Sequence, residues 1–353
     1  MRRSTKAFVL TLLGALLLLA AKQEPVSIAT LISRVRTALE HHDSDNKLAG
    51  ELRKLWLAQR LDDHTIEELE SEGAGPKSVA ELLDLRDAAA SLPAPTALPS
   101  FPAPPLPMRP EQDEVLKLAA SNAASYTASL PDFICDEIVH RYEDIGGRGT
   151  WKARDVLKVK LTYFGGREEY KLVEINNHPT TRGYDYESVG GAVSEGEFGS
   201  DLVTLFLKRS NTEIRWDHWT HLRKHEAHVF LYRIETANSS YRLEFGFKGS
   251  RPAVTNAGEH GYFYVDRDTR QILRLNRSAD LAPDFPVRKA TTLLDYDYVN
   301  VGGRRFLLPL RAEIRMSTDY ILTRNVIEFT GYRKFEGESK ITFDQNPPPE
   351  TKR

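Results

Sequence analysis

The spacing of apolar residues changes character along this chain. In "VSIATLISRVRTALEHH" (26–42), Ile28, Leu31, Ile32, Val35, Ala38 and Leu39 recur three or four positions apart, which predicts an amphipathic helix with one buried stripe. Ser44 predicts the N-cap of a second helix carrying Leu48, Leu52 and Leu55. Thr65 with Glu68, and Ser78 with Glu81, have capping-box spacing and predict two more short helices. "EGAGPK" (72–77) is the Gly-Pro break between them. Residues 26–91 are therefore expected to form a small α-helical domain.

Residues 92–110, "LPAPTALPSFPAPPLPMRP", carry eight prolines. Such a segment reads as a semi-rigid extended linker, or as a ligand for a proline-reading domain, the spacer being the ordinary explanation. It places a domain boundary near residue 111. One further helix is expected at 111–129, with Val115, Leu118, Ala119, Asn122 and Tyr126 on one side.

After "LPDF" the period becomes two. "RDVLKVKLTYF-GG-REEYKLVEI" predicts a hairpin with a Gly-Gly turn, and Leu157, Val159, Leu161 and Tyr163 share a face of its first arm. Tyr241, Leu243, Phe245 and Phe247 alternate in "YRLEFGFK". Phe306, Leu308, Leu310, Ala312 and Ile314 do so in "FLLPLRAEI". "GYFYV-DRDT-RQILRL" is a hairpin with a polar turn, and "VNVGGRRF" and "MSTDYIL" supply two more turns. Ten or eleven strands at short spacing argue an antiparallel meander with one buried face. One helix interrupts it: Ser200 caps "DLVTLFLKR", whose Leu202, Leu205 and Phe206 would lie on the sheet. The expected fold class is α+β. A curved antiparallel half-barrel of about eleven strands, covered by helices, spans 111–346, and 347–353 form a disordered tail. A gap between helices and sheet would be a lipid-sized cavity.

Composition narrows the function. The 353 residues are 41% apolar and 28% charged, a globular profile. "MRRSTK" followed by the uncharged "AFVLTLLGALLLLAA" (7–21) reads as a secretory signal, too short for a spanning helix, with an uncleaved anchor as the alternative. Loss of Arg2, Arg3 and Lys6 with it would move the net charge from −2 to −5. A mildly acidic body makes a poor nucleic-acid binder. The single cysteine, Cys135, excludes an intramolecular disulfide and reads as a small buried apolar residue in "FICDEIV". The expected location is periplasmic or outer-envelope, or anchored to the inner membrane by 7–21.

The strongest chemical signal is "WDHWTHLRKHEAHVF" (216–230), where four of the ten histidines, His218, His221, His225 and His228, crowd together. Its Trp, Thr, Val and Phe residues favour strands, so a turn at 223–226 would set His221 opposite His228, with His225 in the turn and His218 further out. Two cross-strand histidines are half a zinc site, and no HExxH-like spacing completes it. His221 and His228 are thus weak metal candidates, and no metal or other cofactor is expected. "GGAVSEGEFGS" (190–200) lacks the ending of a phosphate loop. "LDYDYV" puts Asp295 and Asp297 on one strand face, read as solvated surface. Cys135 has no histidine of the right parity beside it, since His140 faces away. No catalytic residue is assigned.

Three resemblances rest on these stretches. "IEELESEGAGPKSVAELLDL" resembles a helix-hairpin-helix DNA module in outline, but it is acidic and its glycines are explained by the turn. The order signal, helix, then a long meander with an inserted helix, with hairpins such as "GYFYVDRDTRQILRL", resembles the half-barrel of periplasmic lipoprotein carriers and receptors of the LolA/LolB type and of the sigma-factor regulator RseB. "SEGEFGSDLVTLF", "FPVRKATTLLDYDYVNVGGRRFLLPL" and "RNVIEFTGYRKFEGESKITF" are similar to a group of uncharacterised secreted proteins of acidobacterial soil bacteria. The last two resemblances imply an envelope location and this fold, and the half-barrel resemblance implies a non-enzymatic protein that binds a lipid or lipoprotein acyl chain. The cavity lining is then expected from Phe230, Tyr232, Tyr241, Leu243, Phe245, Phe247, Phe306, Leu308, Ile327 and Phe329. The alternative is an envelope interaction or sensor protein whose helical domain, 26–91, binds a protein partner and whose sheet core is filled.

Overall fold

The computed structural model describes residues 24–96, 104–147, 150–180, 189, 200–246 and 253–335. Residues 7–21, 190–199, 347–353 and Phe247 lie outside them. The chain separates into two compact units, divided between residues 100 and 101.

The described residues of the first unit hold four helices: α1 (Ile28–Glu40), α2 (Asp45–Leu52), α3 (Asp63–Ser71) and α4 (Pro76–Ala88). The α1 stripe is buried as its period predicts, with Leu39 half-buried at its edge. The first two and last two helices form hairpins that close alike. His42 (φ 55°) and Gly73 (φ 119°) take the left-handed conformation after α1 and α3. Asp43 N–H then reaches Ala38 O, and Ala74 N–H reaches Leu69 O, both at 2.9 Å. Each is the six-to-one bond of a Schellman ending.

Ser44 caps α2 as expected, but the two capping boxes do not cap. Asp62 caps α3 through Thr65 N. The fourth helix starts earlier, at Pro76, whose locked φ suits a first helical position. Asp45 supplies its cap from α2, accepting from Lys77 N and Ser78 N at 2.9 Å and from Ser78 Oγ at 2.7 Å. Gly75 leaves room for it, because a Cβ there would stand 2.5 Å from Asp45 Cγ. Gly75→Ala is expected to expel that carboxylate and lower the stability of this unit by about 1–2 kcal/mol, the usual value of a lost cap, as read from urea unfolding.

The second unit opens with α5 (Arg109–Ser129) and carries β1 (Phe133–Ile145), β2 (Lys152–Phe164), β3 (Arg167–Ile175) and β4 (His178–Pro179). After α6 (Ser200–Thr204) come β5 (Glu213–Leu222), β6 (His225–Ile234), β7 (Tyr241–Phe245) and β8 (Ala253–Asp266). The chain then runs through β9 (Ile272–Asp280), β10 (Lys289–Val301), β11 (Arg304–Ser317) and β12 (Ile321–Lys334). Among the described residues they form one open, curved twelve-stranded antiparallel sheet in the order β4-β3-β2-β1-β12-β11-β10-β9-β8-β6-β5, with β7 paired to β8. The meander does not begin at an edge: the first strand pairs with the last, at the centre of the sheet.

The Gly165-Gly166 and Gly302-Gly303 turns both take positive φ at each glycine, as type I′ turns require. The α5 stripe is rotated from expectation. Val115, Ala119, Ala123 and Tyr126 are buried, while Leu118 is 39% exposed and Asn122 instead bonds the carbonyls of Thr269 and Arg270. The interrupting helix is only five residues long, although Leu202 and Leu205 are buried and the Phe206 ring meets Phe263 edge-on.

Candidate functional site

The surface of the sheet is built row by row from paired residues. One row runs Leu157, Val139, Ile327, Ala312, Leu294, Leu275, Phe263, Phe230, each directly opposite the next, across β2, β1, β12, β11, β10, β9, β8 and β6. None is more than 3% exposed, so the row is an unbroken buried apolar belt. The stripe of α5 belongs to the same core. Tyr126 Oη donates to Leu307 O at 3.0 Å and meets the Tyr296 ring edge-on, and Tyr163 Oη donates to Thr127 O at 3.1 Å.

The neighbouring row on this face is polar: Asp155, Arg141, Asn325, Ile314, Thr292, Arg277, Gly261, Tyr232. Arg141 grips Asp155 with two bonds, at 2.5 and 2.6 Å. Arg277 bonds Asp201 of α6 at 3.1 Å, lies 3.8 Å from Glu259, and stacks 4.0 Å over the Tyr241 ring. Tyr232 Oη donates to Glu259 Oε2. Burial raises the Glu259 carboxyl above the usual carboxylate range, and Arg277 offsets this only in part. These polar residues escaped the sequence reading because charged side chains in strands default to solvent. Parity was the available signal: Arg141 follows Val139 by two, Asn325 precedes Ile327 by two, and Arg277 follows Leu275 by two.

Of the predicted lining, Phe230, Tyr232, Leu243, Leu308, Ile327 and Phe329 are buried, and Tyr241, Phe245 and Phe306 pack at the rim of this core. Leu310 leaves the face expected for it. A bulge pairs Asp295 with Arg311 but Tyr296 with Pro309, skipping Leu310, which is 38% exposed. Pro309, with no N–H to give a ladder, sits where the ladder breaks.

The histidine segment is a hairpin with the two-residue turn Arg223-Lys224, so its register differs from the expected one. His221 pairs with Glu226, and His228 with Trp219. His221 and His228 share a face only diagonally, while His218 and His225 lie on the other face. His218 Nδ1 meets Asp217 at 2.8 Å, and His225 Nδ1 meets Asp266 at 2.7 Å. Trp216 Nε1 donates to His228 Nδ1 at 3.3 Å, which places the proton of the neutral ring on Nε2. Burial, with Arg270 and Arg267 nearby, lowers the His228 pKa to about 4. Cys135 is buried, and burial pushes its thiol up.

The opposite face of the sheet overturns the reading of Asp295 as solvated. Glu328, Arg311, Asp295 and Arg274 lie opposite one another in alternating sign. Arg274 Nε meets Asp295 at 2.6 Å with both side chains 5% exposed. Arg223 reaches from the β5–β6 turn to Tyr296 O at 2.6 Å and to Asp295 at 3.4 Å.

The sequence matches no family model and no curated protein. Among solved structures it is similar to a DUF1329 family protein from Desulfovibrio piger, at 12% identity and a TM-score of 0.34, over 64% of this chain and 94% of that one. It is also similar to a putative outer membrane lipoprotein-sorting protein domain from Vibrio parahaemolyticus, at 9% identity and a TM-score of 0.34, over 65% of this chain and 95% of that one. Neither likeness assigns a function to this chain.

Proposed function

We propose that this chain is a non-enzymatic cell-envelope protein that binds a lipid, a lipoprotein acyl chain or another apolar ligand against its open sheet, with α5 as the element that gives way. The observation that carries this reading is the eight-residue apolar belt facing a helix whose contact stripe is half alanine. Val115, Ala119, Ala123 and Tyr126 contribute roughly 6 kcal/mol by burial. The three side chains that bond across the contact, Tyr126, Tyr163 and Asn122, add about 1 kcal/mol each. An acyl chain of about 12–14 carbons laid on the same belt contributes about 0.8 kcal/mol per CH₂, roughly 10 kcal/mol. The two sums are comparable, which is the condition for reversible exchange of helix for ligand. The basic, apolar start of the sequence supports the location. No helix among the described residues is long and apolar enough to cross a membrane.

Native mass spectrometry of the full chain purified from bacterial envelope tests the reading. An added mass of lipid size, lost on delipidation, is the expected result. A bare polypeptide mass that takes up no added lipid overturns it. A second reading is favoured by the near-complete burial of Phe230, Tyr232, Leu308 and Ile327, which suits a filled core. In that case the protein is an envelope interaction or sensor protein whose helical unit holds a protein partner. Deleting residues 26–91 separates the two: a ligand binder keeps its lipid, and a sensor loses its partner.

A further inference from the structure

We propose that the Trp216–Trp219 edge of the sheet is a proline-reading site that the chain's own Pro104–Pro107 fills, and that a proline-rich segment of a partner protein binds there when this strap lifts. The site adjoins the end of the apolar belt, where Trp216 lies opposite Phe230, but the group that holds the strap, the Trp219 indole N–H, is outside the eight belt residues.

Residues three apart in a strand normally point to opposite faces. The bulge between Trp216 and His218 cancels one step, so Trp216, opposite Phe230, and Trp219, opposite His228, share a face. Their rings stand edge-to-face at 6.2 Å. His228 fixes both: its Nδ1 accepts from Trp216 Nε1, and its ring lies 3.9 Å from that of Trp219. On the other flank Arg267, held by Glu226, lies 5.6 Å from the Trp219 ring centre. The result is a rigid aromatic ledge with one indole N–H, that of Trp219, left to give.

That N–H donates to Pro105 O at 3.0 Å. The segment it holds is "PPLP". Proline locks its own φ near −65° and pushes the preceding residue into extended backbone. Pro104 and Leu106 both precede prolines, and Met108 has φ −70° and ψ 158°, so the strap is built for the polyproline II form. An aromatic platform giving one N–H to a proline carbonyl is the general chemistry by which polyproline II segments are read. Pro107 is buried and Gln112 of α5 bonds its carbonyl, while Leu106 and Met108 point outward. Pro105 is itself exposed, so the strap is held through the backbone carbonyls of Pro105 and Pro107 and through the buried Pro107 ring, which any segment of the same form reproduces.

The test uses the full chain and a synthetic peptide of residues 102–110 added in trans. In the unaltered chain the tethered strap competes at about millimolar effective concentration, so peptide binding is weak. With Pro104→Ala, Pro105→Ala and Pro107→Ala in the chain, the peptide is expected to bind saturably and at least tenfold more tightly, read from tryptophan fluorescence. Adding Trp219→Phe, which keeps a ring and removes the N–H, is expected to weaken that binding at least tenfold. Absence of saturable binding to the triple variant, or binding indifferent to Trp219→Phe, overturns the proposal. A second measurement needs no variant. The Trp219 indole N–H resonance of the unaltered chain should exchange slowly with solvent and shift when millimolar peptide is added. Rapid exchange with no shift overturns it equally.

Discussion

Gly261→Ala is expected to leave little folded second unit, because the Cβ it adds meets the closest obstruction found at any of the described glycines. The reason is space, since Gly261 does not take a left-handed conformation. It lies in β8 between Tyr232 and Arg277 on the helix-facing side. A Cβ there would stand 1.9 Å from the carbonyl oxygen of Asn276 and 2.9 Å from its carbon. Those atoms are backbone of the paired strand, so no rotamer change relieves the clash. The strands must separate where the sheet carries its buried Arg277–Glu259–Asp201 cluster. Losing that pairing costs about 4 kcal/mol or more, in the exceptional range for a point substitution. For a unit of this size the melting temperature should fall by roughly 10–15 °C, if a transition survives at all. A melting curve by circular dichroism decides it, and a Gly261→Ala protein that melts within a few degrees of the parent contradicts the close approach.

Asp295→Ala follows at about 3–5 kcal/mol, the usual cost of removing one partner of a buried ion pair. The loss is not that of one bond. Arg274 would keep its charge in a site from which water is excluded, and Arg223 would lose part of the anchor that brings its turn onto β10. Burial alone would push the Asp295 carboxyl up, but Arg274 and Arg223 outweigh it and hold the carboxyl well below the usual carboxylate range. Glu313 behaves in the same way, its burial outweighed by Arg315 and Arg311. The sign follows from linkage. A carboxylate whose pKa is depressed by folding stabilises in full above its unfolded pKa, near 3.9 for aspartate, and loses that contribution as pH falls through the lower folded value. Urea unfolding at pH 7 and near pH 3 should show the parent losing stability in that window. Asp295→Asn should be weaker at pH 7 and lose less on acidification. An Asp295→Asn protein with the parent's acid sensitivity would remove this carboxylate from the account.

Most strands were legible because their turns announce themselves. Gly165-Gly166 and Gly302-Gly303 accept positive φ at no steric cost, and Asp266 bonds the amides of Asp268 and Thr269 within its own loop. The β5–β6 turn carries no such signal. Arg223 stands there at φ 57°, a conformation that arginine rarely takes, and what holds it is the reach of its side chain to Tyr296 and Asp295 on another strand. A turn fixed from a distance is invisible locally, so the histidine register was misplaced. The same logic hid the cap of α4, which Asp45 supplies from α2. Ser78, which looked like a cap, is spent on that aspartate.

The candidate site divides in the same way. Part of its apolar belt was readable, since Leu157 recurs with Val159, Leu161 and Tyr163, Phe230 with Tyr232, and Ile327 with Phe329 at a period of two. The polar row beside it was not, because Arg141, Arg277 and Asn325 look like surface residues until their partners are known. The proline strap was read as a spacer. Its carbonyl at Pro105 meets an indole more than a hundred residues later in the chain, on a face created by a bulge.

By itself, then, the sequence determined what depends on neighbours in the chain: which segments are helical, which alternate as strands, where glycine turns fall, and which residues are apolar enough to be buried. Only the tertiary structure decided what depends on distant partners. It set the first strand against the last at the centre of the sheet, sank Asp295 among arginines, placed the Leu310 bulge, chose which face of α5 is covered, and seated the strap on Trp219. The physical reason is common to all of these. A hydrophobic period sets the preference of a segment, whereas a buried charge, a bulge or a strained turn persists only because groups remote in sequence compensate it.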